Sequence, residues 1–225
     1  STLRILIAPG GSATTEMQIA LAGPVPDVMG VLQHPRLGLF NGRPLPVKDP
    51  QGSLDGRVTL NFPLTATVPI ESVRIRAQAQ LRQVRIADVF MGRPIERGQF
   101  ELTVTNDGLR ASGNAVLAEV QARLGVEMDF RRGNATQVVM RETVQARADA
   151  RQLAALGLAN EEVVRGPIGL DVRTERRRNG QGRANVRADL REATLEIEAL
   201  GWAKPPGQNA GGEAVLRLAG ESLEA

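Results

Sequence analysis

Apolar and polar residues alternate along most of the chain. The longest run is Ala118, Val120, Ala122, Leu124, Val126, Met128 and Phe130, interleaved with Glu119, Gln121, Arg123, Gly125, Glu127 and Asp129. A helix would scatter the first set around its circumference, whereas a strand puts all of it on one side. The same period recurs at Val58, Leu60, Phe62 and Leu64, and at Val73, Ile75, Ala77, Ala79 and Leu81. It returns at Phe100, Leu102 and Val104, then Leu109, Ala111, Gly113 and Ala115. Later come Val144, Ala146 and Ala148, then Ile168, Leu170 and Val172, and then Ala184, Val186, Ala188 and Leu190. Ala193, Leu195 and Ile197, with Leu216 and Leu218, close the series.

Turn signals separate these runs at Asn106-Asp107-Gly108, Arg132-Gly133-Asn134 and Asn179-Gly180, where residues that tolerate positive φ favour tight hairpins. The expectation is an all-β, mostly antiparallel chain. Two short helices interrupt it. One starts at Pro24-Val25-Pro26-Asp27 and runs to His34-Pro35, and one is capped by Asp149 and ends near Gly157.

A weak internal repeat overlies the strands. Gly56-x-Val58-x-Leu60-x-Phe62 returns as Gly166-x-Ile168-x-Leu170-x-Val172, and Ala79-x-Leu81-Arg82 returns as Ala188-x-Leu190-Arg191. Leu37-Gly38-Leu39 precedes the first copy as Leu156-Gly157-Leu158 precedes the second. The implied units run over about 38–148 and 157–225, and such repetition suggests an extendable array.

Composition removes most chemistry. There is one His and no Cys, so thiol catalysis, disulfides and thiolate metal sites are absent, and no His pair exists for a zinc site. His34 reads as a helix C-terminal residue. No catalytic residue, metal site or cofactor is expected. Lys+Arg number 28 against 25 Asp+Glu, for a net charge of +3, and aromatics are only 3%. Interleaved charges with few stacking rings do not make a nucleic-acid surface. The chain opens Ser1-Thr2-Leu3-Arg4, without an initiator Met, and the uncharged run after it is broken by Pro9-Gly10-Gly11, too short for a bilayer span. It reads as a section of something longer.

Two architectures satisfy the alternation. In one, two sheets form a sandwich around a dry core. In the other, one curved sheet leaves its apolar face as an open trough. The abundance of small residues on that face, such as Ala77, Ala79, Ala111, Gly113, Ala122, Ala146 and Ala188, favours space for a guest. An acyl chain of roughly sixteen carbons costs on the order of 10 kcal/mol to expose to water, so its passage between membranes needs an apolar surface along the way.

Several ordered motifs resemble the AsmA-like proteins of the YhdP type. They are Leu21-Ala22-Gly23-Pro24-Val25-Pro26-Asp27, Gly56-x-Val58-x-Leu60-x-Phe62-Pro63-Leu64 and Asn106-Asp107-Gly108-Leu109-x-Ala111-x-Gly113. Leu156-Gly157-Leu158 with Arg165-Gly166-Pro167-Ile168, and Leu200-Gly201-Trp202-x-Lys204-x-Pro206-Gly207, complete the set. The resemblance implies an interior segment of a long periplasmic bridge in Gram-negative bacteria, anchored in the inner membrane by a helix that this chain lacks. It implies a taco-like β-groove that carries phospholipid toward the outer membrane, with neighbouring β segments of the same chain on either side. It brings no catalytic residues. The alternative function is a structural β-array that spaces surfaces and binds proteins.

On the groove reading, the lining is Val58, Leu60, Phe62, Val73, Ile75, Leu81, Phe100, Leu102, Val104, Val120, Leu124, Val126, Met128, Phe130, Ile168, Leu170, Val172, Val186, Leu195 and Ile197. Met17, Met128 and Met140 suit either a lipid path or ordinary packing. Arg176-Arg177-Arg178 reads first as a solvated hairpin tip and second as a contact for lipid headgroups. Trp202 reads first as a packed loop anchor and second as an interfacial aromatic.

Overall fold

The computed structural model describes residues 2–7, 13–32, 47–65, 67–90, 92–219 and 222–224. His34 and the Leu37-Gly38-Leu39 motif lie outside the described residues. The elements are, in order, β1 (Thr2–Ile7), β2 (Ala13–Pro24), α1 (Val25–Leu32), β3 (Lys48–Pro63), β4 (Arg74–Phe90), β5 (Arg93–Thr105), β6 (Gly108–Leu117), β7 (Val120–Asp129) and β8 (Val138–Asp149). Then follow α2 (Ala150–Ala154), β9 (Val164–Arg165), β10 (Pro167–Arg177), β11 (Gln181–Asp189), β12 (Thr194–Ile197), β13 (Trp202–Lys204), β14 (Gly211–Ala219) and β15 (Ser222–Glu224). The chain is all-β and antiparallel in every pairing of known register, with two short helices, as the alternation requires.

Two compact units divide the chain, and the β6–β7 hairpin contributes to both. One comprises Ser1–Gly113 with Glu127–Arg132, the other Asn114–Val126 with Gly133–Ala225.

In the first unit, β1 to β5 pair in chain order. Register puts apolar residues in rows across the strands. Ile19 faces Val58, which faces Ala77, which faces Val104, and the next row is Leu21, Gly56, Ala79 and Leu102. Phe100 lies against two bare backbones, because a Cβ at Gly98 would sit 2.5 Å from its ring and one at Gly113 2.7 Å from it. Only glycine lets the ring lie that flat. Beyond Leu81 the β4–β5 register shifts repeatedly, and Gln83, Asp88 and Arg97 take positive φ. These bulges turn the strand ends, and Val84 and Ile95 are buried there. Beside them α1 packs on β2 and β3, where Val25 and Leu54 are buried.

In the second unit β8, β10, β11, β14 and β15 pair in that order. A separate three-stranded sheet is formed by β13, β12 and β9. The residues Ala193, Leu195 and Ile197, expected as another strand of the main sheet, belong to this small sheet instead. After Asp189 the chain turns out of the ladder at Arg191-Glu192, so β14, not β12, continues the pairing with β11. The small sheet and α2 enclose a core of Val120, Ala148, Ala150, Leu153, Val164, Ile168 and Ala193. The helix starts as predicted, since Asp149 accepts from the Arg151 amide at 3.0 Å while Gln152 reaches back to the Asp149 amide at 2.9 Å.

Two turns differ from expectation. Ala118 was expected on the strand face, yet Ala118 and Glu119 form the β6–β7 turn with φ of 49° and 66°. This is the twist a two-residue hairpin needs, here without the usual Asn-Gly pair, so β7 begins at Val120. At Asn106-Asp107-Gly108 the turn is correctly sited, but no positive φ occurs there. Asn106 acts through its side chain. Its Oδ1 accepts from the Ile75 amide at 2.7 Å and its Nδ2 donates to the Val73 carbonyl at 2.8 Å, mimicking a strand pair at the start of β4. Asn106→Ala removes both bonds, and we expect a loss of about 1–2 kcal/mol, read by urea unfolding. Asn106→Asp keeps the acceptor alone, so an intermediate loss is expected.

Lys204 holds the small sheet to β11. Only 2% exposed, it has no carboxylate partner in contact; its ammonium donates to the carbonyls of Leu190 at 2.9 Å, Arg191 at 3.1 Å, Ala193 at 2.7 Å and Pro205 at 3.1 Å. Four carbonyls replace the water a buried cation needs. Lys204→Met fits the stem but takes the cation from those oxygens, of which Leu190 and Arg191 keep only the amides of Ala193 and Gly207. We expect a loss of about 3 kcal/mol, a fall of roughly 6–12 °C in Tm by calorimetry.

Candidate functional site

The twenty residues expected to line an apolar surface are distributed between the two units. In the first, Val58, Leu60 and Phe62 lie on β3, Ile75 and Leu81 on β4, Phe100, Leu102 and Val104 on β5, and Met128 on β7. Val73 directly precedes β4 and Phe130 directly follows β7. In the second, Val120, Leu124 and Val126 lie on β7, Ile168, Leu170 and Val172 on β10, and Val186 on β11. Leu195 and Ile197 are on β12, away from the main strands. Leu195 packs against the core of the second unit, and Ile197 is exposed.

Within each unit the main-strand residues share rows. Met17, Leu60 and Ile75 oppose one another in the first. In the second, Val144, Val172, Val186 and Ala214 form one row, and Ala146, Leu170, Ala188 and Gly212 the next. Most are half-buried. Val58, Leu60, Phe62, Ile75, Leu102, Leu170, Val172 and Val186 are all of this class, while Arg57, Arg74, Arg76, Gln78, Glu101, Arg173 and Arg187 between them are exposed. Among the described residues no large side chain is less than 2% exposed. Burial is deepest where α1 covers the first unit's strand ends and where α2 and the small sheet cover part of the second. Elsewhere within the first unit, no second sheet covers the apolar rows among the described residues.

The rows of the second unit change character toward the β10–β11 turn. After Val172 the same face presents Thr174, whose hydroxyl donates to Glu142 at 2.6 Å. Arg176 comes next, opposite Met140 and Gly182. Its Nε is buried without a hydrogen-bond partner. Arg177 follows across a register shift, opposite Val138 on the same face of β8 as Met140, and is exposed. Arg178 is engaged by Gln137, donating its amide to the Gln137 carbonyl at 2.9 Å and its guanidinium to the side-chain oxygen at 3.1 Å. Arg176 and Arg177 thus follow the apolar rows along β8, while Arg178 is held by Gln137.

The opposite face of the second unit is laced with charge. Glu175 lies 3.4 Å from Arg141 and 3.7 Å from Arg183, and Arg187 lies 2.9 Å from Glu213. Gly169, lacking a side chain, leaves a shallow hollow of about 470 Å³ there, edged by Gln121, Gln145, Arg147, Asp171, Arg187 and Asp189. The Asp171 carboxyl is held below its ordinary pKa, chiefly by the Gln145 amide at 3.1 Å, then by Arg173 at 2.9 Å and the charge of Arg187. Among the described residues, no three His, Cys, Asp or Glu side chains converge to hold a metal ion. No helix among them is long and apolar enough to cross a membrane.

Trp202, expected as a packed loop anchor, is instead 47% exposed at the β12–β13 hairpin. Sequence reasoning also missed Lys204 as a structural cation; its rarity, one of two lysines beside Pro205-Pro206, was the available signal. Compared with known proteins, the chain matches no family model, no curated protein and no solved structure.

The hollow yields a pH prediction. Because Asp171 is depressed in the fold, its contribution is present above the ordinary carboxylate range and is lost as pH falls through its lower, folded value. Gln145→Ala removes the first cause, so the Asp171 carboxyl should titrate closer to its ordinary value, followed by carboxyl ¹³C NMR. An unchanged titration would assign the depression to the arginines alone.

Proposed function

We propose that the apolar rows of this chain shield lipid acyl chains from water, so that the protein is a non-enzymatic lipid-transport module. The observation that carries this reading is the half-burial of those rows. A sandwich filled with its own side chains would take Leu60, Phe62, Leu102 and Val172 out of water, since each large apolar side chain gains about 1.5–3 kcal/mol on full burial. Here they keep part of that surface available, and the intervening polar residues face solvent. Methylenes laid along the rows would complete the burial, at about 0.8 kcal/mol each.

The reading extends to the resemblance drawn from the motifs. It makes the chain an interior part of an AsmA-like, YhdP-type bridge in the periplasm, tethered to the inner membrane through a segment outside this sequence and serving outer-membrane biogenesis. Its ligand is phospholipid. Arg176 and Arg177, at the polar end of the second unit's rows, are the residues suited to a headgroup phosphate; Arg178, already engaged by Gln137, is less so.

One observation favours strand pairing as an additional role. β15 pairs with β14 only over Arg217, Leu218 and Ala219, which among the described residues leaves the β14 edge open before them, where Val215 is 68% exposed. β14 carries no proline and no lysine, the residues that usually blunt an edge. A neighbouring β segment of a longer chain fits that edge.

Val126→Glu tests the lipid reading. Val126 is half-buried on β7, so an added carboxylate can hydrate when no lipid is bound, yet an acyl chain passing it must strip that water. The expected outcome is a protein that melts within a few degrees of wild type and loses co-purified phospholipid in native mass spectrometry. Collapse of the fold would favour a closed core, and a stable variant with a full lipid load would count against lipid carriage.

A further inference from the structure

The small sheet ends in an apolar point. The turn between β12 and β13 is a 3-10 turn over Glu198–Leu200, closed by Gly201 in the left-handed region at φ 58°, whose amide donates to the Glu198 carbonyl at 3.0 Å. Leu200 at its tip is 73% exposed. Ile197 and Trp202 face each other across the hairpin and so share a side, at 36% and 47% exposure. Two residues nearer the base, Leu195 and Lys204 occupy that same side and are covered. The hairpin therefore carries its inward-facing series past the end of the core. Nine large hydrophobics are exposed among the described residues, and three of them meet at this one turn.

We propose that this tip inserts into the interfacial layer of a lipid bilayer. The point is a single turn of few residues, too small to offer a groove for a partner helix or peptide. It carries no Lys or Arg between Ile197 and Trp202, and its single charge is Glu198. A charged partner surface is thus not what it is built to meet. Leu and Ile supply the apolar depth, while the indole has an apolar body and an N–H that needs a polar neighbour, the combination that settles at the boundary of headgroups and acyl chains. The base is fixed, because the Lys204 ammonium donates to the Leu190 and Arg191 carbonyls just past β11 as well as to those of Ala193 and Pro205. A fixed base lets the tip enter without an ordering cost to its stem. Glu198 makes a zwitterionic surface the preferred one over an anionic surface.

The chain contains one Trp and no Tyr, so its emission reports Trp202 alone. Phosphatidylcholine vesicles should shift that emission to the blue, protect it from acrylamide and expose it to quenching by brominated acyl chains. Leu200→Asp, at a solvated position that cannot disturb the core, should keep the circular dichroism and Tm of wild type and weaken vesicle partitioning by at least about tenfold. Absence of any shift at millimolar lipid overturns the proposal and leaves a protein pocket as the tip's partner. A shift that Leu200→Asp does not weaken also overturns it, since binding would then lie elsewhere. The inference stands apart from lipid carriage on the main strands. Leu200→Asp should retain its co-purified lipid, so loss of either property leaves the other readable.

Discussion

An antiparallel strand with strict alternation has to dispose of one apolar face, and everything else in this chain follows from how that is done. The backbone groups satisfy one another across the ladders, so the sheet forms whether or not its apolar face is covered. Among the described residues, covering is supplied locally within each unit, by α1 at strand ends of the first and by α2 with the small sheet in the second. Away from that cover, Val58 and Leu60 in the first unit and Val172 and Val186 in the second stay half-buried. Apolar contact thus fixes the register, because a slip of one residue would turn the whole series outward. It does so without extracting the full burial energy from each side chain.

Small residues make this compatible with a stable fold. Rows such as Leu21, Gly56, Ala79 and Leu102 alternate bulk with almost none. A row of leucines left half-open would present a large sticky patch, whereas alanine and glycine lower the exposed apolar area while keeping the face dry enough to define its side. The same choice leaves room above the backbone. On the proposed function that room is where methylenes lie, so composition that lowers the aggregation hazard also creates the capacity for a guest.

The alternation was legible in the sequence because it is local, and period two survives whatever lies beside a strand. It identified the strands at Val58, Ile75, Phe100, Val120 and Ile168, and the Asp149 cap announced α2 through its own side chain. What could not be read was set by partners distant in sequence. Leu195 and Ile197 alternate as well as any residues in the chain, yet their strand leaves the main ladder, since only the pairing of β11 with β14 decides which segment lies next. Ala118 and Glu119 adopt positive φ because the strands on both sides demand that turn, against the preference of either residue. Asn106 carries a turn signature but works as a clamp on β4, a role visible only once Val73 and Ile75 stand beside it.

Lys204 and Trp202 lie two residues apart on the same side of one strand and meet opposite fates. The lysine is buried and the tryptophan is half in water, the reverse of what side-chain polarity alone prescribes. The inversion has a physical cause. The segment from Leu190 to Ala193 leaves β11 in a turn that brings its carbonyls together, and an ammonium on a four-carbon stem reaches three of them at once. Once the lysine is fixed there, period two fixes Trp202 on the same side, and the core has already ended. Exposure of the indole is therefore a consequence of anchoring the hairpin by its base. A tip displayed in this way keeps its apolar groups in water at a continuing cost, which the proposed insertion into a bilayer would relieve.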